Sequence, residues 1–370
     1  MLRLDTLTLR EIRMPLVHPF ETSFGRTTER RILLITAHCG SVDGWGECTA
    51  GEHPFYSEES TDTAWLIIRD YLASMLLGRS FEHAAECAAL MEQVRANRMA
   101  KAALENALWD AEAQARNLPL WQLLGGTQTE LSCGVSLGIQ PTVDQLLGRI
   151  ETELAAGYRR IKVKVKPGWD IDVLSRIRHH WPEITLSCDA NSAYTLDEIE
   201  HLRKFDQWKL LMIEQPLWSD DIAAHAQLQR EIKTALCLDE SIHHVRDAQT
   251  AIDLEACRII NIKLGRVGGF SQAQRVEHLC RTRGIPVWCG GMLESGLGRA
   301  HNIAMSTLPG FTLPGDVSAS ARYWHEDIIE PEVTVSRQGT IAVPQTPGRG
   351  YRLKHALIDK LTVRRETLRA

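Results

Sequence analysis

The sequence predicts an α/β protein built on a barrel of parallel strands, with a separate α+β unit before it. Three observations carry this expectation. Short apolar runs, each ending in a charged residue, recur through the second half of the chain at a near-constant interval. Helix-like segments alternate with them, and strand–helix alternation implies parallel strands wound one way. The first 125 residues lack that alternation and read as strands followed by helices.

The repeat begins at Arg160-Ile-Lys-Val-Lys-Val-Lys166. Strict alternation marks a strand with Lys162, Lys164 and Lys166 on one side and Val163 and Val165 on the other. Alone, such a stretch also suits a solvated edge strand protected by lysines. The runs that follow argue against that. Thr185-Leu-Ser-Cys-Asp189, Leu210-Leu-Met-Ile-Glu214, Ala235-Leu-Cys-Leu-Asp239 and Ile259-Ile-Asn-Ile-Lys263 place their charged ends 25, 25, 25 and 24 residues apart, counted from Lys164. That length fits a strand, a loop and a helix. The helices are expected over residues 170–180, 195–204, 220–231 and 245–254.

Polar residues at the carboxyl ends of barrel strands meet at one face, where barrel active sites lie. Asp189, Glu214 and Asp239 should therefore converge. Three carboxylates repel one another unless a cation joins them, and oxygen-only ligands favour a hard divalent metal, Mg²⁺ above all. Lys164 ends the strand before the trio and Lys263 the strand after it, so two amines should flank the metal. Each carboxylate taken singly could instead cap the next helix; five charged ends in step make that reading weak.

The N-terminal region opens with alternating stretches at 2–14 and 31–38, then a turn and strand start at Asp43-Gly-Trp-Gly-Glu47. Between them, Pro19-Phe-Glu-Thr-Ser-Phe-Gly25 is either an ordinary hairpin loop over packed aromatics or a mobile lid over a ligand. Residues 58–77, 81–93 and 100–116 have helical spacing, and Gly125-Gly126 ends the unit. The first barrel strand is expected at 131–138, with Ser136 near its upper end. Gly265-Arg-Val-Gly-Gly269 forms a tight turn after Lys263, and a strand at 285 runs into a glycine-rich loop through 298. Residues 311–316 are expected as the last strand, and the tail to return to the first unit. The domains are thus 1–125, 126–319, and a tail of about 320–370 packing on the first.

Composition excludes several classes. A net charge of −5 with no basic run gives no sign of nucleic-acid binding. No apolar stretch reaches membrane-spanning length, and no secretory leader is evident. Nine cysteines, scattered without metal-type pairs, read as buried thiols of a reducing cytoplasm rather than a zinc site. No phosphate loop supports a nucleotide.

At these residues the chain resembles the enolase superfamily over nearly its full length. The Lys-Xaa-Lys at 162–164, Lys263, Asp189-Ala-Asn191, Glu214-Gln-Pro216 and Asp239-Glu-Ser241 match the muconate-lactonising-enzyme subgroup. Lys263-Leu-Gly-Arg-Val-Gly-Gly269 and Gly290-Gly-Met-Leu-Glu-Ser-Gly-Leu-Gly-Arg-Ala-His-Asn302 resemble its o-succinylbenzoate synthase and N-acylamino acid racemase family. Dipeptide epimerases of the subgroup carry Asp-Xaa-Asp on the last strand, where this chain has Pro314-Gly-Asp316. Leu264 stands where relatives often have Pro.

The resemblance implies a modified TIM barrel of (β/α)7β type, capped by the N-terminal unit and the tail. It implies Lys164 and Lys263 as catalytic groups, Asp189, Glu214 and Asp239 as Mg²⁺ ligands (Mn²⁺ substituting), and Lys162 as the neighbour that tunes Lys164. It implies a small-molecule carboxylate substrate and a cytoplasmic homo-oligomer. Ser136, Asn191, Gly291 and Met292 are candidates for substrate contact, with barrel-mouth packing the alternative for Ser136 and Met292. Arg266 stands behind Lys263 or in a structural ion pair. Phe20, Phe24, Phe55 and Tyr56 close the pocket or form cap core. The implied activity is dehydration of 2-succinyl-6-hydroxy-2,4-cyclohexadiene-1-carboxylate to o-succinylbenzoate, a menaquinone step. Racemisation of N-acyl amino acids by two bases is the alternative, and a non-catalytic metal-binding scaffold the remote one.

Overall fold

The computed structural model describes residues 1–369. Three antiparallel strands open the chain: β1 (Thr6–Glu21), β2 (Arg26–Cys39) and β3 (Val42–Cys48). The final strand, Thr362–Arg369, adds to the free edge of β1 and completes a four-stranded sheet. Helix α1 (Arg98–Ala115) lies on β3. Its alanines and the glycines of β3 are two halves of one close contact. A Cβ on Gly44 would stand 1.9 Å from the Ala107 carbonyl oxygen, and one on Gly46 1.9 Å from that of Ala103. Asp110 on α1 then accepts the Trp45 backbone N–H at 2.9 Å. Residues 58–77, expected as one helix, start behind the Ser60 cap and pass through a π-helical turn, Ile68–Leu72.

Seven parallel strands follow: β4 (Gly134–Leu137), β5 (Arg160–Lys164), β6 (Thr185–Asp189), β7 (Ile213–Glu214), β8 (Leu236–Leu238), β9 (Ile259–Ile262) and β10 (Val287–Cys289). They are hydrogen-bonded in chain order. Helices Val143–Ala155, Ile171–His180, Ile222–Glu231, Val245–Asp253 and Phe270–Thr282 connect most of them. The register sets Lys164 beside Asp189, Asp189 beside Glu214, and Glu214 beside Cys237. Period-two alternation then carries Asp239 to the same side, one layer higher. Met212, Cys237, Ile259 and Trp288 form a small, buried apolar cluster of their own.

Four expectations are corrected. Residues 311–316 are not a regular strand. They link the first and last barrel strands by isolated bridges, Phe311 to Val287 and Gly315 to Cys133. The Gly134 N–H donates to the Gly315 carbonyl and the Asp316 N–H to the Cys289 carbonyl, each at 2.7 Å. Pro314 brings no N–H, which interrupts a ladder there. The stretch 131–138 divides: Glu130–Ser132 pairs antiparallel with Thr340–Ala342 of the tail, and Gly134–Leu137 alone joins the parallel sheet. The tail therefore returns to the barrel's entry strand as well as to the N-terminal sheet. Finally, β5 stops at Lys164, and Lys166 turns into a bridge with Trp169.

All nine cysteines are buried and unpaired. Among the described residues, no helix is long and apolar enough to cross a membrane.

The contact between β3 and α1 should tolerate no side chain. Gly46→Ala is expected to lower unfolding stability by about 1–3 kcal/mol through overpacking, measured by urea titration. An unchanged midpoint would show that α1 can move away.

Candidate active site

The strand tips bring the charged ends together. Lys164 Nζ lies 2.6 Å from Asp189 Oδ2 and 2.6 Å from Asn191 Oδ1. Lys263 Nζ lies 2.6 Å from Asp239 Oδ2 and donates to the Tyr56 hydroxyl at 3.1 Å. Lys162, one layer deeper, reaches Glu214 Oε2 at 2.7 Å, Asp316 Oδ2 at 2.9 Å and Asp189 Oδ2 at 3.4 Å, and stands 4.5 Å over the Trp288 ring. Every one of these lysines and carboxylates is buried. The solvated-edge reading of Lys162 and Lys164 is therefore wrong for this strand, which is interior.

Burial in such a place would drive ionised groups to their neutral forms; the partners decide the outcome. Burial works to lower Lys162, but the charges of Asp316, Glu214 and Asp189 outweigh it and raise it above the ordinary lysine range. Lys263 is likewise lowered by burial and raised further by Tyr56, Glu240, Glu214 and Asp189. Burial works to raise Asp189, but Lys164 and Lys162 hold its carboxyl well below the usual range. Glu214 goes the other way, pushed up by burial and by the Asp189 charge.

Each carboxylate accepts from an amine or guanidinium. Accordingly, among the described residues no three His, Cys, Asp or Glu side chains are arranged as a metal-binding group as they stand. Asp189 and Glu214 share Lys162, whereas Asp239 meets Lys263 and Arg266.

The remaining sequence candidates fall as follows. Asn191, in a left-handed backbone conformation (φ 43°), joins Lys164 to Glu240 through its amide. Arg266 contacts Asp239 and the Tyr56 hydroxyl, the same two partners as Lys263, and donates to the Ile242 carbonyl at 2.8 Å. It is thus both a buried ion pair and a neighbour of Lys263. Ser136 sits beside Lys162 in the register, with its hydroxyl buried and without a hydrogen-bond partner. It is not among the residues lining the cavity described next.

Over the strand tips lies a cavity of about 370 Å³. Lys164, Asn191, Lys263, Gly291 and Met292 line its barrel side, and Phe20, Phe24, Phe55 and Tyr56 its cap side. The loop between β1 and β2 touches the barrel where Ser23 Oγ donates to the Asn191 carbonyl at 3.2 Å. Phe24 and Phe55 are exposed, so these two are not cap core. Tyr56 belongs to the charge cluster itself, donating to Asp239 Oδ1 at 3.1 Å.

Sequence reasoning missed Asp316 as the counter-ion of Lys162 and of Arg160, whose Nη1 it meets at 2.7 Å. It also missed Glu240, Asn261 (2.7 Å from Glu214 Oε1) and Glu47. Asn261 carried a signal, since it lies two residues from Lys263 and so on the same strand face. Glu47, at the end of β3, crosses to the barrel: its carboxylate accepts from Ser295 Oγ at 2.5 Å, Ser295 N–H at 3.1 Å and Gly298 N–H at 2.9 Å, capping helix Gly296–Ser306. Beside it, Glu294 accepts from Met292 N–H at 2.9 Å and Asn302 Nδ2 at 2.9 Å, which fixes the loop bearing Gly291 and Met292.

The fold and this site define a class, and comparison with known proteins agrees. Residues 5–125 match the mandelate racemase / muconate lactonizing enzyme N-terminal domain, and residues 145–357 the enolase C-terminal domain-like family. The chain belongs to the mandelate racemase / muconate lactonizing enzyme family of the enolase superfamily. It is 51% identical to an o-succinylbenzoate synthase of Geobacillus kaustophilus, over 98% of this chain and 96% of that one. It is 45% identical to an N-succinylamino acid racemase of Thermus thermophilus, over 98% of each. A solved structure of an enolase-superfamily member from Listeria innocua superposes with a TM-score of 0.96 at 38% identity, covering 100% of both chains.

Burial pushes the Glu47 carboxyl up to about 7. Its folded value thus lies above the unfolded one, so its share of stability is present below about pH 4.5 and lost as pH rises toward 7. Relative to wild type, Glu47→Gln should therefore gain stability across that window and hold the gain above it, followed by urea titration at each pH. A difference between the two proteins that does not vary with pH would contradict this.

Proposed function

We propose that this chain removes a proton from the carbon next to a substrate carboxylate, with residues 1–125 and the tail capping a catalytic unit over 126–319. The observation that carries the reading is a pair of buried amines, Lys164 at the end of β5 and Lys263 just after β9, both lining one cavity and each bonded to its own carboxylate. A proton next to a carboxylate is weakly acidic, so its removal needs a positioned base and stabilisation of the charge left behind.

Lys164 is the base in this reading. Lys162 stands two residues away on the same strand face, held as a cation by Asp316, Glu214 and Asp189. Lys263, with Arg266 beside it, supplies positive charge to the developing carbanion, and Tyr56 and Asp239 hold Lys263 in place. In the dehydration, Lys164 takes the proton, the C–H electron pair forms the new ring double bond, and the C–O bond breaks. Lys164 then returns its proton to the departing hydroxide, which leaves as water. The product of the 2-succinyl-6-hydroxy-2,4-cyclohexadiene-1-carboxylate reaction is o-succinylbenzoate, and the synthase relatives support this choice.

Relatives of this family are metal-dependent, and the donor set here suits a hard divalent cation. It consists of buried carboxylates on successive strand tips, where the Asp189 charge adds to burial in raising Glu214. Asp189, Glu214 and Asp239 would hold Mg²⁺ or Mn²⁺. Bound there, the ion neutralises charge on the substrate carboxylate.

A second reading is favoured by the same pair of amines. Bases on two sides of a cavity suit racemisation of an N-succinyl amino acid, in which one lysine removes the α-proton and the other returns one to the opposite face. The racemase relatives support it.

Lys164→Ala is expected to lower dehydration, and α-proton exchange of N-succinyl amino acids in D₂O, by at least about a hundredfold, with the thermal unfolding transition retained. Turnover within a few-fold of wild type would remove Lys164 from the role.

A further inference from the structure

The cap side of the cavity carries a cation that proton transfer does not use. Arg30 lies on β2 and lines the cavity whose other side holds Lys164 and Lys263. It is only 7% exposed. One of its Nη atoms donates to the carbonyls of Thr49 at 3.1 Å and Ala50 at 3.3 Å, while its buried Nε has no hydrogen-bond partner. Among the described residues no carboxylate is ion-paired with it. Burial lowers it from the ordinary arginine range, although the charges of Glu47 and Glu294 act in its favour from a distance.

A buried guanidinium without a directly bonded anion is unfavourable, and such a charge persists where something supplies the anion. The protein's own carboxylates on this side do not. Glu29 is engaged by Arg13 at 2.9 Å, and Glu52 lies 3.8 Å from Arg31. Arg26, four residues before Arg30 on β2, also lines the cavity and is without an ion pair among the described residues. The cap side therefore presents positive charge toward the space above the amines, and the Arg30 Nη group not spent on the Thr49 and Ala50 carbonyls suits a carboxylate oxygen.

We infer that Arg30, aided by Arg26 at the rim, binds a second carboxylate of the substrate, remote from the reacting carbon, and makes the site selective for dicarboxylates. The inference rests on the proposed function: the succinyl group common to both candidate reactions supplies that carboxylate at the far end of the acyl chain.

The test is calorimetric binding to the full chain with Mg²⁺ present. The probes are o-succinylbenzoate and o-butyrylbenzoate, in which a methyl group replaces the distal carboxylate. Wild type is expected to favour the succinyl compound about 10- to 100-fold, the range for a hydrogen bond to a charged group. Arg30→Met should lose that preference while its affinity for the butyryl compound stays within about twofold; Arg30→Lys should keep part of it. Equal binding of the two probes by wild type overturns the inference without any variant. Equal losses for both probes in Arg30→Met would make Arg30 a support for the turn at 49–50 and overturn it too. Turnover is followed separately. Wild type that turns over yet shows no preference sinks the subsite alone, whereas preference without turnover sinks the proposed function and leaves the subsite standing.

Discussion

The structure depends on ion pairing inside the parallel sheet. Arg160, Lys162, Lys164, Lys263 and Arg266 face Asp189, Glu214, Asp239, Glu240 and Asp316, all buried. Five formal cations against five formal anions leave the interior neutral without bulk water, so the loss of any one strands a charge. Breaking a buried pair costs about 3–5 kcal/mol for that reason. The cluster is maintained by backbone register, since Lys164, Asp189 and Glu214 are direct neighbours on adjacent strands. The apolar group of Met212, Cys237, Ile259 and Trp288 gives it a dry boundary, and the Trp288 ring meets Lys162 and Arg160 through its face.

The cap is wired into this cluster rather than merely laid over it. Tyr56 bonds both Lys263 and Asp239, and Glu47 caps a barrel helix. Ser23 ties the β1–β2 loop to Asn191, which itself bonds Lys164. Cavity-lining groups of the cap and the buried lysines of the barrel thus share partners one or two bonds apart. Within the cap, the sheet packs closely onto α1 through Gly44 and Gly46.

The repeat of 25 residues made the strand tips legible, because a βα unit of fixed length returns each strand to the same height. Alternation made the shared face of Lys162 and Lys164 legible as well. What stayed hidden was decided by contacts distant in sequence. Asp316 is the counter-ion of Lys162, yet nothing local to either residue announces it, and Pro314 conceals the segment's role in linking the sheet ends. Arg30 reads as one of several charges in a strand until the fold buries it. Glu47 sits in a glycine-rich turn whose tightness was visible, but its partners lie some 250 residues away, at Ser295 and Gly298. The split of residues 131–138 depends on the tail at 340–342, which no local pattern encodes.

The central claim is that Asp189, Glu214 and Asp239 act as one oxygen-donor set flanked by amines. Titration of the full chain with Mn²⁺, read by electron paramagnetic resonance, tests it most directly. The account predicts one ion bound per chain, with binding greatly weakened in Asp189→Asn, Glu214→Gln and Asp239→Asn alike. Binding that survives unchanged in all three variants would contradict it.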